Sequence, residues 1–149
     1  MNGIDEFEEQ LTDELREYLR IKMTWIQHDL CRIPLNLLLH NAEFATFPHL
    51  HRRMIVMANR ALSLSVWMMN VGLNTHRNHG TWLGFRLCVR SALEVVAARK
   101  SANGYLVIPF DFESTARTMV QGLRYWEDEY PDVRRYLSIL ASLDDAFAE

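Results

Sequence analysis

The stretch Met54–Leu73 reads MIVMANRALSLSVWMMNVGL and decides the fold, because it would place large apolar side chains on every face of a helix. Such a helix belongs either in a bilayer or at the centre of a helical core. Asn59, Arg60 and Asn70 would be costly in hydrocarbon, and the next apolar stretch, Trp82–Ala98, also contains charges. The sequence therefore predicts two largely buried central helices in a protein core, and no membrane span.

Composition and charge point to one α-helical domain covering residues 1–149. Of these residues 49% are hydrophobic, and only six Gly and four Pro are present, which leaves little room for linkers. A net charge of -3 argues against direct binding of nucleic acid. Cys31 and Cys88 lie in apolar patterns as small core residues, as in a reducing compartment, and the acidic start lacks a secretory signal. We expect a nuclear or cytoplasmic location.

Helix start and stop signals predict five or six helices. After the helix that is predicted to end near Lys100, we expect Tyr105–Pro109 to be an extended apolar connector, because a lone strand would have no partner. The predicted helices run from about Asp5 to Arg32 with a bend or a stop before Pro34, over Leu35–Asn41, from Thr46-Phe47-Pro48 to Gly72, from Trp82 behind a Thr81 cap to about Lys100, from Asp111 or Ser114 to about Glu129, and from Pro131 onward.

Two patterns on the central helices suggest a ligand site. Methionine and tryptophan side chains provide adaptable apolar walls, although core packing also explains them. Arg86, Arg90 and Glu94 share one helix face at four-residue spacing, as in an ion-pair ladder or in a clamp for an anionic group. The predicted ligand-binding residues are Met57, Trp67, Met68, Trp82, Arg86 and Arg90.

Catalytic and metal-binding patterns are weak. His49 and His51 would point about 200° apart on a helix, and His76 and His79 lie in a polar loop without cysteine or carboxylate at a ligand spacing. No nucleophile elbow, phosphate-binding glycine loop or Cys-x-x-Cys pair is present in the sequence. We therefore predict no catalytic residues, no metal site and no cofactor. A small helical-bundle enzyme or metalloprotein that uses some of His28, His40, His49 and His51 stays an alternative.

Three segments resemble the regulatory region of fungal zinc-cluster transcription factors, the middle homology region. Leu37-Leu38-Leu39-His40 resembles the Leu-Leu-His step of the family, Cys88-Val-Arg-Ser91-Ala92 its Cys-x-x-Ala-Ala helix, and Pro109-Phe110 the start of its next segment. The sequence departs from that pattern at Asn41-Ala42, which replaces Arg-Pro, at Ser91, which replaces the first Ala, and in a longer first spacer.

The resemblance implies an all-α regulatory region that controls a DNA-binding module, sometimes through a small molecule. The zinc cluster of that family needs six closely spaced cysteines, whereas this chain has two, so it could not read DNA in that way. The leading hypothesis is a non-catalytic regulatory or protein-interaction domain, with a small apolar ligand or a protein partner. An obligate subunit of a homo-oligomer is a further alternative, because so short a chain exposes apolar surface easily.

Overall fold

The computed structural model describes residues 13–40, 47–71 and 81–148, and these residues form helices, turns and one extended connector. The predicted all-α class is confirmed, with five α-helices in the described part of the chain. They are α1 (Asp13–His40), α2 (Pro48–Val71), α3 (Thr81–Lys100), α4 (Phe112–Tyr125) and α5 (Pro131–Leu143), and a short 3₁₀ turn (Asp145–Phe147) follows.

Helix α2 lies at the centre and packs against α1, α3 and α4. Ala58, Ala61 and Leu62 are fully buried, and the small side chains allow close approach of neighbouring helices. By length and composition α2 could also cross a membrane, but half of its most apolar window is buried inside the fold. Its burial is one-sided, since Val56 and Met57 are exposed. The predicted core helix is therefore present, with one face open.

Helix α1 does not end near Arg32, so of the two alternatives predicted at Pro34, a bend or a stop, the stop is wrong. The helix continues through Pro34 to His40, so the separate short helix predicted over Leu35–Asn41 is its last part. Proline removes one backbone hydrogen bond, but the following turn is held by Leu35 and Leu38, which are 0% and 4% exposed. Tertiary burial outweighs the local signal here. The predicted start at Asp5, and Asn41, lie outside the described residues.

The connector after α3 is extended, as predicted, and two asparagines fix it. Asn59 of α2 donates from Nδ2 to the carbonyl of Tyr105 (3.0 Å) and accepts at Oδ1 from the amide of Val107 (2.8 Å). Asn103 donates to the carbonyl of Leu38 near the end of α1 (3.0 Å). These hydrogen bonds satisfy backbone groups of the connector and of the end of α1 that are not paired with a neighbouring strand.

The other boundaries mostly agree with the signals. Helix α2 begins at Pro48 and α5 at Pro131, where proline is tolerated in a first turn. Helix α3 begins at Thr81, one residue earlier than expected, and ends at Lys100. Helix α4 ends at Tyr125 instead of near Glu129, because the next residues turn inward to contact Phe85 of α3. Gly72 and Thr46, the expected end and cap of α2, lie outside the described residues.

Candidate interaction surface and the polar cluster behind it

One face of α1 carries a continuous row of exposed aliphatic side chains. Successive members are separated by four, three, four, three and four residues, which is the spacing of a coiled-coil seam. Each is between 37% and 60% exposed, although large apolar side chains normally favour burial. We call this row the α1 stripe, and it consists of Leu19, Met23, Ile26, Leu30, Ile33 and Leu37.

The opposite face of α1 holds the helix to the core. His28 is 2% exposed and Leu35 is 0% exposed, and both lie on this inner face. His28 and Leu30 are two residues apart, so they point about 200° away from each other around the helix. The contacts that bury His28 therefore turn the α1 stripe outward.

A buried polar cluster joins the three long helices behind the stripe. It consists of His28 on α1, Ser65 on α2 and Glu94 on α3. His28 Nε2 lies 2.9 Å from both Ser65 Oγ and Glu94 Oε2, and the Ser65 hydroxyl donates to Glu94 Oε2 at 3.1 Å. Because an ionised carboxylate only accepts, we assign a hydrogen to Nε2 of His28. Burial makes these bonds specific, since a lost partner would leave a polar group unsatisfied.

Two arginines extend the polar cluster towards solvent. Arg90 donates from Nε to Glu94 Oε1 (3.3 Å), one turn along α3, and from Nη2 to Asp29 Oδ1 on α1 (2.9 Å). Arg32 Nη1 lies 3.6 Å from Glu94 Oε1. Of the predicted ion-pair ladder, which was one of two alternatives for this helix face, the pair between Arg90 and Glu94 is present. The carboxylate of Glu94 is therefore shared by groups from all three helices.

The polar cluster has the residue types of a Ser-His-acid catalytic triad, but its geometry is different. In such a triad the serine and the acid contact different nitrogens of the histidine. Here Ser65 and Glu94 contact the same nitrogen, Nε2. Ser65 is also 0% exposed, so its hydroxyl is out of reach of a substrate. The arrangement positions helices and does not form a nucleophile.

An apolar groove runs beside the C-terminal end of the α1 stripe, between α1 and α2. Its volume is about 750 Å³, and Arg52 and Arg53 of α2 lie at its walls. Since His28 contacts Ser65 while Leu37 lies beside Leu50, α1 and α2 run antiparallel. We call this cavity the α1–α2 groove, and its apolar walls are Pro34, Leu37, Leu50, Met54, Val56 and Met57.

The predicted ligand-binding residues lie at different places. Met57 lines the α1–α2 groove, whereas Arg90 lines a second pocket of about 620 Å³ between α1 and α3. Met68 is buried at 4% exposure, and Trp67 is half-buried on α2. Arg86 is exposed on α3, and the side chain of Trp82 lies outside the described ones. The structure thus brings Arg90 together with Glu94 and not with Met57.

The second pocket also contains Arg32, His40 and Lys100. His40 ends α1 and Lys100 ends α3, positions where cations complement the negative end of the helix dipole. Among the described side chains, no three His, Cys, Asp or Glu groups lie close enough together to hold a metal ion. His76 and His79 lie outside the described residues.

The α1 stripe and the polar cluster were not found from the sequence. The spacing of the stripe is visible in the sequence, but periodicity alone does not show whether a face is covered. The members of the polar cluster are 29 to 66 residues apart along the chain. Of the three, the sequence pattern assigns an interaction partner only to Glu94, through its spacing from Arg90. Comparisons with known protein families, curated proteins and solved structures found no match to this chain.

Proposed function

We propose that this chain is a non-catalytic α-helical regulatory or protein-interaction domain, which binds a helix of another polypeptide along the α1 stripe. The observation that carries the proposal is the exposure of six aliphatic side chains at coiled-coil spacing. Exposed contiguous apolar surface of this kind marks interaction sites in soluble domains. A partner helix would insert its own apolar side chains between those of the stripe.

The buried contacts that hold α1 in place favour a stable docking surface. Glu94, His28 and Ser65 hold α1 against two other helices, so its outer face keeps one orientation. The resemblance to the regulatory region of fungal zinc-cluster transcription factors motivates the finer proposal, that docking controls an attached or partner DNA-binding module. That proposal places the chain in the nucleus or cytoplasm.

A reporter experiment tests this function. The whole chain is fused to an unrelated DNA-binding domain, and we expect transcription from its reporter to change several-fold relative to the DNA-binding domain alone. The double variant Ile26→Glu/Ile33→Glu should abolish the change, because it places charges at two stripe positions that are 55% and 60% exposed. Folding is checked by circular dichroism.

The matched control is Phe110→Glu, which changes a fully exposed aromatic side chain outside α1. It should leave the reporter signal unchanged. A fusion without effect on transcription would contradict the regulatory proposal, and a stripe variant as active as the unchanged chain would contradict the role of the stripe.

The α1–α2 groove supports a second candidate function, the sensing of a small apolar ligand. Its volume of about 750 Å³ lies within the range of small-molecule sites, and its walls are mostly aliphatic. Met57, one of the predicted ligand-binding residues, contributes an adaptable thioether side chain to this wall. A hydrophobic metabolite would therefore enter between α1 and the start of α2.

Native mass spectrometry with a panel of hydrophobic metabolites tests this candidate. A ligand at about one hundred times its Kd should raise the melting temperature by about 5–10 °C. Met57→Glu should remove the retained mass and the shift, whereas Val107→Glu, at an exposed position outside the groove, should not. A panel that leaves neither a retained mass nor a shift would contradict ligand sensing.

A further inference from the structure

We infer that the pocket between α1 and α3 binds a small organic carboxylate that carries an apolar chain, with Arg32 holding the charged end. The volume of this pocket is about 620 Å³, which lies within the range of small-molecule sites. Its described lining shares no residue with the α1 stripe or the α1–α2 groove. Binding here is therefore independent of both proposed functions and goes beyond them.

The pocket carries more positive than negative charge. Arg32, Arg90 and Lys100 line it, and Glu94 is the single carboxylate among its described lining residues. The helix dipole accounts for Lys100, which ends α3. It does not account for the two arginines, because Arg32 lies eight residues before the end of α1 and Arg90 ten before the end of α3. The dipole acts only within the last turn of a helix.

Glu94 does not satisfy both arginines. Its Oε2 is occupied within the polar cluster, and its Oε1 accepts a hydrogen bond from Arg90 Nε at 3.3 Å. Arg90 has a second acceptor in Asp29 Oδ1, at 2.9 Å. Arg32 Nη1 lies 3.6 Å from Glu94 Oε1, which is too far for a hydrogen bond. Of the two guanidinium groups, that of Arg32 is the one available to a ligand.

The Nε of Arg32 also needs an acceptor. This nitrogen is buried, and no described residue accepts a hydrogen bond from it. A buried donor without an acceptor is rare in folded proteins and costs free energy. The whole side chain is 32% exposed and lines the pocket, so a small rotation would turn Nε and one Nη towards the cavity. A carboxylate accepts two parallel hydrogen bonds from such an edge of a guanidinium.

The rest of the pocket wall favours an apolar chain on the carboxylate. Leu93 and Ala97 lie one turn apart on α3, both are exposed, and Leu39 of α1 lines the same pocket. A hydrocarbon chain would cover these side chains, whereas an inorganic anion would leave them in water. From Arg32 to the end of α1 the helix rises about 12 Å, which limits the chain to medium length. Octanoate is a suitable probe.

An NMR titration of the whole chain with octanoate tests this site. We expect a saturable shift of the Arg32 Nε–H signal, because that group gains an acceptor. Octanol has the same chain without the charge and should bind about tenfold more weakly or worse, since a hydrogen bond to a charged group is lost. Acetate has the charge without the chain and should also bind about tenfold more weakly or worse, since it buries fewer methylene groups.

Two variants place the ligand. Arg32→Gln should weaken octanoate binding about tenfold or more, because the charged, bidentate donor is lost. Ala97→Asp should do the same by placing a carboxylate in the apolar wall, and it should leave the fold intact because Ala97 is exposed and outside the polar cluster. The matched control is Arg20→Gln on the same helix, where the side chain is 69% exposed and outside the pocket. Its affinity for octanoate should equal that of the unchanged chain.

Absence of saturable octanoate binding would overturn this assignment, and so would octanol binding as tightly as octanoate. Equal affinities of Arg32→Gln and Arg20→Gln would overturn it as well. Binding that is lost in Met57→Glu but kept in Ala97→Asp would place the ligand in the α1–α2 groove instead. None of these results affects the reporter experiment, which tests the α1 stripe.

Discussion

Replacing Glu94 by Ala should lower the free energy of unfolding by about 3–5 kcal/mol, because removal of one member of a buried ionic network leaves the other members buried without their partner. The Glu94 side chain is 11% exposed and accepts hydrogen bonds from Ser65 and Arg90, with His28 at 2.9 Å. Its loss leaves the His28 ring and the Ser65 hydroxyl buried with fewer partners. Urea denaturation followed by circular dichroism measures the change.

The matched control for this prediction is Glu113→Ala. Glu113 is also a carboxylate paired with an arginine, Arg99, at 3.3 Å, but its side chain is 59% exposed. Exposed pairs contribute little, so we expect a loss below about 1 kcal/mol. Equal effects of the two substitutions would show that the polar cluster does not hold the three helices together. Glu94→Gln, which keeps the size of the side chain, should fall between them.

Phe85→Ala should destabilise the fold by a similar amount, about 3–5 kcal/mol, since it leaves a cavity where a large aromatic ring was buried. Phe85 is 1% exposed and its ring lies 5.8 Å from that of Trp126 and 5.2 Å from that of Tyr130. These contacts attach the turn between α4 and α5 to α3. Thermal denaturation and urea midpoints measure the loss.

Leu83→Ala is the control, because Leu83 lies on the same helix two residues earlier and is 45% exposed. Its substitution should cost less than about 1 kcal/mol. If Phe85→Ala were as mild as Leu83→Ala, the aromatic contacts would not attach the C-terminal helices to the core.

The helices could be predicted where a local sequence signal and burial in the core favour the same structure. The apolar run through Leu62 marked α2 as the central helix, and prolines 48 and 131 marked the starts of two helices. At Pro34 the sequence predicts a bend or a stop, and the stop is wrong because burial of Leu35 and Leu38 against neighbouring helices opposes the local penalty of proline. The sequence shows the penalty but not the burial that opposes it.

The candidate surface was harder to predict, for a physical reason. Helix α1 has apolar residues on two faces, the inner one with Leu35 and the outer one with Leu30. Composition does not decide which face packs inward; that depends on His28 meeting Ser65 and Glu94, which come from distant parts of the chain. Arg90 was identified through its four-residue spacing from Glu94, whereas its bond to Asp29 crosses between helices.

The central claim is that α1 presents its stripe outward while its inner face is locked to the core. Methyl NMR of the protein with a soluble paramagnetic agent tests it most directly. We expect strong broadening of the methyl signals of Ile26 and Ile33, and little broadening of those of Leu35 and Leu62. Equal protection of the Ile26 and Leu35 methyl groups in the folded protein would contradict the account.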